Sequence, residues 1–341
     1  MVDRQSPLPA YFQIARDLRR RISSGEWKPN DQLPSEIELA VQYSVSRMTL
    51  RQALNELEKD NLLLRRRGAG TFVNLAFVEL LDGSTRLPMD ISTESDVMRM
   101  REQVWQQLST VALPDSRHHW NFDLFIPDFA GSQVCADTVR MLPEYQASKF
   151  LFIAPDNSLS LLRRYAVEDG KTLLLATAGL ARGFRIILPG MVPAGQEPLA
   201  ATLEGAEIFS RPVSLDEIRD LGRLDLVLTG VSIITHQGVR WGRGYGYFDL
   251  EWAIFCEIGA ASQETPIVAL AHDCQMVDLD LRPSPSDALV DILVTPGGIQ
   301  TITSGQQKPN GIVWSQLSKD LLPLIPLLKE LYMQRKQQPA L

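Results

Sequence analysis

The chain has 341 residues and a formal net charge of -7, too long for one ordinary compact core and too acidic overall for a protein that coats nucleic acid. Its three cysteines, Cys135, Cys256 and Cys274, include no CxxC pair, which excludes a disulfide framework and suits a reducing cytosol. The N-terminus lacks an apolar signal core, and the run "LLPLIPLL", broken by Pro323 and Pro326, falls short of the ~20 residues a membrane span needs, so a cytoplasmic protein of two domains with no membrane partner is expected.

The charge is segregated. Met1 to Asn74 holds 12 Lys+Arg against 9 Asp+Glu, a balance of +3, and the remainder holds 22 against 32, a balance of -10. Within the basic part, Tyr11, Ile14, Leu18 and Ile22 recur at helical spacing, Arg19, Arg20 and Arg21 follow round the outside, and Gly25 ends the helix. "PSEIELAVQY" opens a second helix with a capping box between Ser35 and Glu38, and Leu39 and Tyr43 face its core. A third helix is capped by Ser46 and buries Leu50, Ala53, Leu54 and Leu57. "NLLLRRRGAGTFV" then gives two strands around a basic glycine turn. Three helices and a hairpin make a winged helix-turn-helix, and short polar and guanidinium side chains at its third helix are the types that reach base edges and phosphates together.

The stretch Pro7 to Val73 resembles the DNA-binding domain of GntR-family bacterial regulators. The resemblance implies DNA contacts from Ser46, Arg47, Thr49 and Arg51 on the recognition helix and from Arg67, Gly68 and Gly70 on the wing, while the wing's own charge, on Arg65, Arg66 and Arg67, suits the phosphate backbone or a minor groove. Ile37 departs from the pattern, since many members have a DNA-touching arginine there. Asn30 and Asn61 stand where the family has turn glycines, and asparagine tolerates the left-handed conformation better than most residues. The partner implied is a double-stranded operator, an inverted repeat bound by a homodimer with recognition helices about 34–36 Å apart or a multiple of that.

Residues 75–95 mix a short apolar run with Gly, Pro, Ser and Thr and are expected as the linker between a domain at 1–74 and another at 96–341. Beyond it, "KFLFIAP", "KTLLLAT", "RIILP", "DLVLTGVSII", "TPIVALAH" and "DILVTP" alternate with helix-length segments, the pattern of an α/β domain with a mostly parallel sheet. In such sheets ligands sit beyond the carboxyl ends of the strands, where "GRGYG" falls. Its glycines leave backbone N–H groups open to phosphate oxygens, Arg243 supplies charge, and Asp249 has the oxygen ligands for a nucleotide-bound metal ion. A tight hairpin without a ligand explains the same loop equally well.

"GVRWGRGYGYFDLEWA", "ETPIVALAHDCQMVD" and "VDILVTP" resemble the 5-formyltetrahydrofolate cyclo-ligase family, and "MREQVWQQL" and "GKTLLLATAGLARGF" are similar to its divergent methenyltetrahydrofolate synthetase domain-containing branch. The resemblance covers Asp96 to Pro296. In active members the cofactors are ATP and Mg2+, and by position the resemblance implies a ligand site at Arg243, Gly244, Tyr245, Gly246 and Tyr247 and a metal role for Asp249. The chain departs from active members at Tyr245, where they have Gly or Lys, at Phe248, where a second tyrosine stands, and at Leu250, where an arginine commonly follows. A bulky ring at a phosphate-facing position and a lost cation both weaken phosphoryl-transfer electrostatics.

Lesser candidates read as structural. "AHDC", His272 to Cys274, ends a strand, and consecutive residues there point different ways. His118 and His119, and Lys149, Lys171 and Arg182, read as surface residues. Three functions fit: a DNA-binding regulator whose second domain senses a small-molecule effector (a nucleotide, a folate or a phosphorylated metabolite), a bifunctional cyclo-ligase that also binds DNA, and a second domain that is only an interaction platform. The altered "GYGYFDL" favours the first.

Overall fold

The computed structural model describes residues 10–23, 26–28, 30–59, 62–66, 70–74, 91–115, 120–122, 125–242, 246–279, 283–317, 321–322 and 325–337. The chain divides into two compact units, 1–86 with 318–324 and 87–317 with 325–341. Among the described residues no helix is long and apolar enough to cross a membrane.

In the first unit, α1 (Ala10–Ser23), α2 (Glu36–Gln42) and α3 (Arg47–Lys59) precede a hairpin of β1 (Leu63–Arg66) and β2 (Gly70–Val73). The periodicity read from sequence is the periodicity of burial: Ile14, Leu18 and Ile22 of α1 meet Leu39 and Tyr43, then Leu50, Ala53, Leu54 and Leu57 of α3, with Leu63 and Val73 from the hairpin. Truncating one such leucine to alanine costs about 2–5 kcal/mol, a large share of a domain's stability of about 5–15 kcal/mol. Local chemistry sets the boundaries. The capping box of α2 closes with Glu38 N–H on Ser35 Oγ at 3.3 Å and Ser35 N–H on Glu38 Oε2 at 2.8 Å. Asn30 adopts φ 65°, the left-handed conformation expected of it, and the chain turns there so that Asn30 N–H reaches Val73 O and Leu33 N–H reaches Thr71 O. Arg21 is not the outward charge expected: it is half-buried, 2.6 Å from Glu26 and 3.0 Å from the Tyr43 hydroxyl, which itself donates to Asp17.

The second unit begins with α4 (Ile91–Leu108), which starts inside the stretch 75–95 expected as linker. The six apolar runs are all strands, within an eight-stranded sheet or, for Ile233–Thr235, beside it. Its middle is parallel: β12 (Ile292–Thr295), β10 (Ile267–Leu270), β7 (Leu226–Gly230), β3 (Phe150–Ile153) and β4 (Thr172–Ala176) lie side by side in that order. Antiparallel strands finish the edges, β13 (Gly298–Thr301) beside β12, then β5 (Phe184–Ile187) beside β4 and β6 (Arg211–Val213) beyond it. The fold is therefore the expected α/β architecture with a mostly parallel sheet. A short second sheet joins β11 (Met276–Val277), β8 (Ile233–Thr235) and β9 (Arg240–Trp241), and Val104 of α4 packs against Ile233, Val239 and Trp241. Phe152, Phe184 and Phe255 interlock at centroid distances of 4.9–6.3 Å on one side of the sheet.

The chain passes from β3 to β4 on one flank of β3 and later places β7 on the other flank. A reversal of this kind, here between β3 and β7, marks the place beyond the carboxyl ends of the strands where doubly wound sheets bind ligands.

Candidate functional site

Each unit carries one candidate site. In the first, α3 begins with Ser46 as its cap, whose Oγ accepts the Thr49 N–H at 3.1 Å and lies 2.8 Å from the Thr49 hydroxyl. Ser46 and Arg47 are exposed and Thr49 is partly covered. Arg51 is exposed yet engaged: its Nη2 lies 2.8 Å from Glu36 Oε2 on α2 and its Nε donates to the same oxygen at 3.3 Å. Arg65 approaches Glu36 at 3.8 Å from the hairpin. The hydrogen bond from Arg51, against the opposing effect of burial, holds the Glu36 carboxyl below its ordinary range. Arg66 is exposed with its guanidinium 4.8 Å from the Phe72 ring centre, and Gly70 sits at φ 117°, a conformation open to glycine and strained for other residues. Arg67 and Gly68 lie outside the described residues. The structure thus brings α3 and the wing together through Glu36, a residue the sequence reading did not single out.

In the second unit, the loop after β9 leads into α11 (Tyr247–Glu257). The intervening helices, numbered in chain order, are α5 (Ser132–Met141), α6 (Pro143–Ala147), α7 (Ser160–Glu168), α8 (Glu197–Ala200), α9 (Leu203–Phe209) and α10 (Leu215–Leu221). Gly246 caps α11 at φ 64° and ψ 14°, left-handed, exposed and without a side-chain cap. Unsatisfied N–H groups at such a helix start favour anions. Tyr247 is half-buried. Arg243, Gly244 and Tyr245 lie outside the described residues.

Asp249, in the first turn of α11, turns inward. Its Oδ1 accepts the Ala288 N–H at 2.9 Å, and its Oδ2 lies 3.8 Å from Nη1 of Arg240. Arg240 is buried on β9, with its guanidinium 4.3 Å from the Phe248 ring centre and its Nη2 3.5 Å from the carbonyl of Gly230 at the end of β7. Burial pushes the Asp249 carboxyl up and the Arg240 charge pulls it back. Asp287, next to Ala288, is pushed up to about 7, first by burial and then by the Asp249 charge.

At the carboxyl ends of β3 and β7, Asp156 Oδ2 accepts the Gly230 N–H at 2.8 Å and ties the two strand ends together. Buried Arg163 fixes that loop by donating to the carbonyls of Ala154, Asp156 and Ala201 at 2.9–3.0 Å. Arg240, Asp287, Asp156 and Arg163 all escaped the sequence reading. The one available signal was for Arg240, a charge inside an otherwise apolar strand.

The lesser candidates resolve by contact. His272 caps a short turn, its Nδ1 accepting the Cys274 N–H at 3.3 Å, and Asp273 accepts from the Thr295 hydroxyl at 2.5 Å. Burial pushes the Cys274 thiol up, which opposes a nucleophilic role. Among the described residues no group of three or more His, Cys, Asp or Glu is arranged to hold a metal ion. Lys171 is a correction: it is buried, donating from Nζ to the carbonyls of Tyr145 and Ser148 at 2.8 and 2.7 Å, so it ties α6 to the base of β4. Lys149 is exposed as expected, and Arg182 is paired with Glu207. His118 and His119 lie outside the described residues.

Comparison with known proteins matches residues 10–73 to the bacterial regulatory proteins of the gntR family and residues 93–296 to the 5-formyltetrahydrofolate cyclo-ligase family. The methenyltetrahydrofolate synthase domain-containing protein of Bos taurus is 34% identical over 246 residues, which is 70% of this chain and 62% of that protein. The HTH-type transcriptional repressor NagR of Bacillus subtilis (strain 168) is 44% identical over 93 residues, 27% of this chain and 38% of that protein. The chain therefore spans less than two thirds of the length of either relative. The solved Aquifex aeolicus 5,10-methenyltetrahydrofolate synthetase superimposes with a TM-score of 0.38 at 18% identity, covering 61% of this chain and 94% of that one.

Proposed function

The chain belongs to the 5-formyltetrahydrofolate cyclo-ligase family and carries a GntR-type domain ahead of that region, and from this premise we propose that it is a cytoplasmic DNA-binding transcriptional regulator whose cyclo-ligase-like domain senses a small-molecule effector. The observation that carries the reading is the recognition helix: a capped α3 presents Arg47 and Arg51 outward on a domain whose net charge, +3, opposes that of the rest of the chain. Cations at a helix start, beside a wing bearing Arg66, suit phosphate and base-edge contacts. The partner is a double-stranded operator. One such head gains few phosphate contacts, and a homodimer on an inverted repeat doubles them.

The effector class is a nucleotide, a folate or a phosphorylated metabolite, seated between Gly246 and the carboxyl ends of β3 and β7. Support comes from the left-handed entry to α11 and from the buried Arg240 beneath it. We assign Asp249 to holding this loop in place of a metal. Magnesium demands near-octahedral oxygen ligation, and Asp249 already satisfies the Ala288 N–H with one oxygen and faces Arg240 with the other. With Phe248 and Leu250 at positions where active members have a tyrosine and an arginine, the domain binds without turning over 5-formyltetrahydrofolate. Selection of duplexes by the full chain from a randomised library, with turnover assayed in ATP and magnesium, tests both halves. Selective binding without turnover supports the regulator, selective binding with turnover supports the bifunctional enzyme, and no selective binding removes the DNA-binding reading.

A further inference from the structure

This inference rests on the operator contact proposed above and concerns what α3 reads there. Polar side chains around the start of α3 are largely committed: the hydroxyls of its cap Ser46 and of Thr49 face each other at 2.8 Å, and Arg51, one turn on from Arg47, holds Glu36 at 2.8 Å. Between Arg47 and Thr49 stands Met48, 74% exposed, while the opposite face of the helix buries Leu50, Ala53, Leu54 and Leu57. An apolar side chain held in water by a helix with a complete core adds nothing to folding, and removing it from water is favourable only against a partner. The major groove offers one apolar group, the C5 methyl of thymine. Methionine, unbranched and polarizable, adapts to such a contact.

We infer that Met48 is a specificity-determining residue that packs on a thymine methyl in each operator half-site, next to the base pair or phosphate that Arg47 engages. Thymine and uracil present the same hydrogen-bonding atoms and differ only in that methyl, so the substitution isolates the contact. The full-length chain is used to select duplexes from a randomised library, and each dT of the selected half-site is then replaced singly by dU. Wild type is expected to lose affinity at one position by about four-fold, the worth of one buried methyl. Met48→Ala should lose a similar factor on the dT duplex and become indifferent to dU at that position, whereas Met48→Leu should keep the sensitivity. Val41→Ala, a change at another exposed apolar residue, on α2, should leave the dU profile unaltered. Identical dU profiles for wild type and Met48→Ala, or no dU-sensitive position in a selectively bound duplex, would overturn the inference alone. Failure of the wild type to select any duplex would overturn it together with the DNA-binding reading.

Discussion

Arg51 of the recognition helix and Glu36 of α2 form an ion pair with Nη2 2.8 Å from Oε2, and Arg65 stands 3.8 Å from the other carboxylate oxygen. A single acidic residue thus restrains two of the cations expected to face DNA. Glu36→Gln removes that restraint and frees Arg51 for a phosphate. The slope of log affinity against log salt should steepen by up to about 0.9, one phosphate contact on B-DNA. Titrations at several salt concentrations measure it, and an unchanged slope would show that Arg51 already reaches the backbone with Glu36 in place.

Arg47 and Arg66 should separate by role. Arg47→Ala is expected to weaken operator binding by roughly 1–3 kcal/mol through a lost base-edge contact, whereas Arg66→Ala should weaken all sequences alike and lower the salt slope by about 1. The two are compared on the selected duplex and on a scrambled one. Equal, small losses from both would remove the recognition role from α3.

Asp287 gives the second unit a pH dependence of defined sign. Its carboxyl, pushed up to about 7, keeps a proton that an unfolded chain releases near the ordinary value of about 4. The stability it contributes is therefore full below about pH 4 and is lost as pH rises through about 7. Thermal melts of wild type should show the decline across that window, and Asp287→Asn should reduce it, leaving the part that the buried Asp249 carboxyl, also pushed up, contributes. A variant melting with the wild-type pH profile would place the titration elsewhere.

Gly246 is left-handed with open space where a side chain would project. The cost of Gly246→Ala is therefore conformational, about 1–2 kcal/mol, and a β-branched Gly246→Val should cost more. Melting of the second unit should fall in that order, with the first unit's transition unmoved. Loss of both transitions together would show that the strain is not local to α11.

Much of this architecture was legible because short apolar runs and helical periodicity report burial directly. Ile14, Leu18, Leu50 and Leu54 could be placed in a core from spacing alone, and the strands at Phe150, Leu226 and Ile267 from their apolar runs. Strand direction at the sheet edges was not, since β5, β6 and β13 pair antiparallel through contacts that no local pattern encodes. Buried charge was the other blind spot. Lys171, Arg163 and Arg240 look like surface residues in a sequence because their partners are backbone carbonyls or distant side chains brought in by the fold. The same holds for Asp287, whose effect on the site comes through Asp249, far away along the chain.

If the cyclo-ligase-like domain senses an effector on behalf of the DNA-binding domain, ligand and operator binding are coupled. The most direct measurement is the affinity of the full-length chain for its selected duplex with and without saturating 5-formyltetrahydrofolate or ATP. Linkage requires that a ligand shifting operator affinity have its own affinity shifted by the operator by the same factor, typically about 5–150-fold for coupled sites. A reciprocal shift is expected for at least one of the two ligands, with no conversion of the folate. Operator affinity unchanged by either ligand while 5-formyltetrahydrofolate is consumed would contradict it and leave a DNA-binding enzyme in place of a sensor.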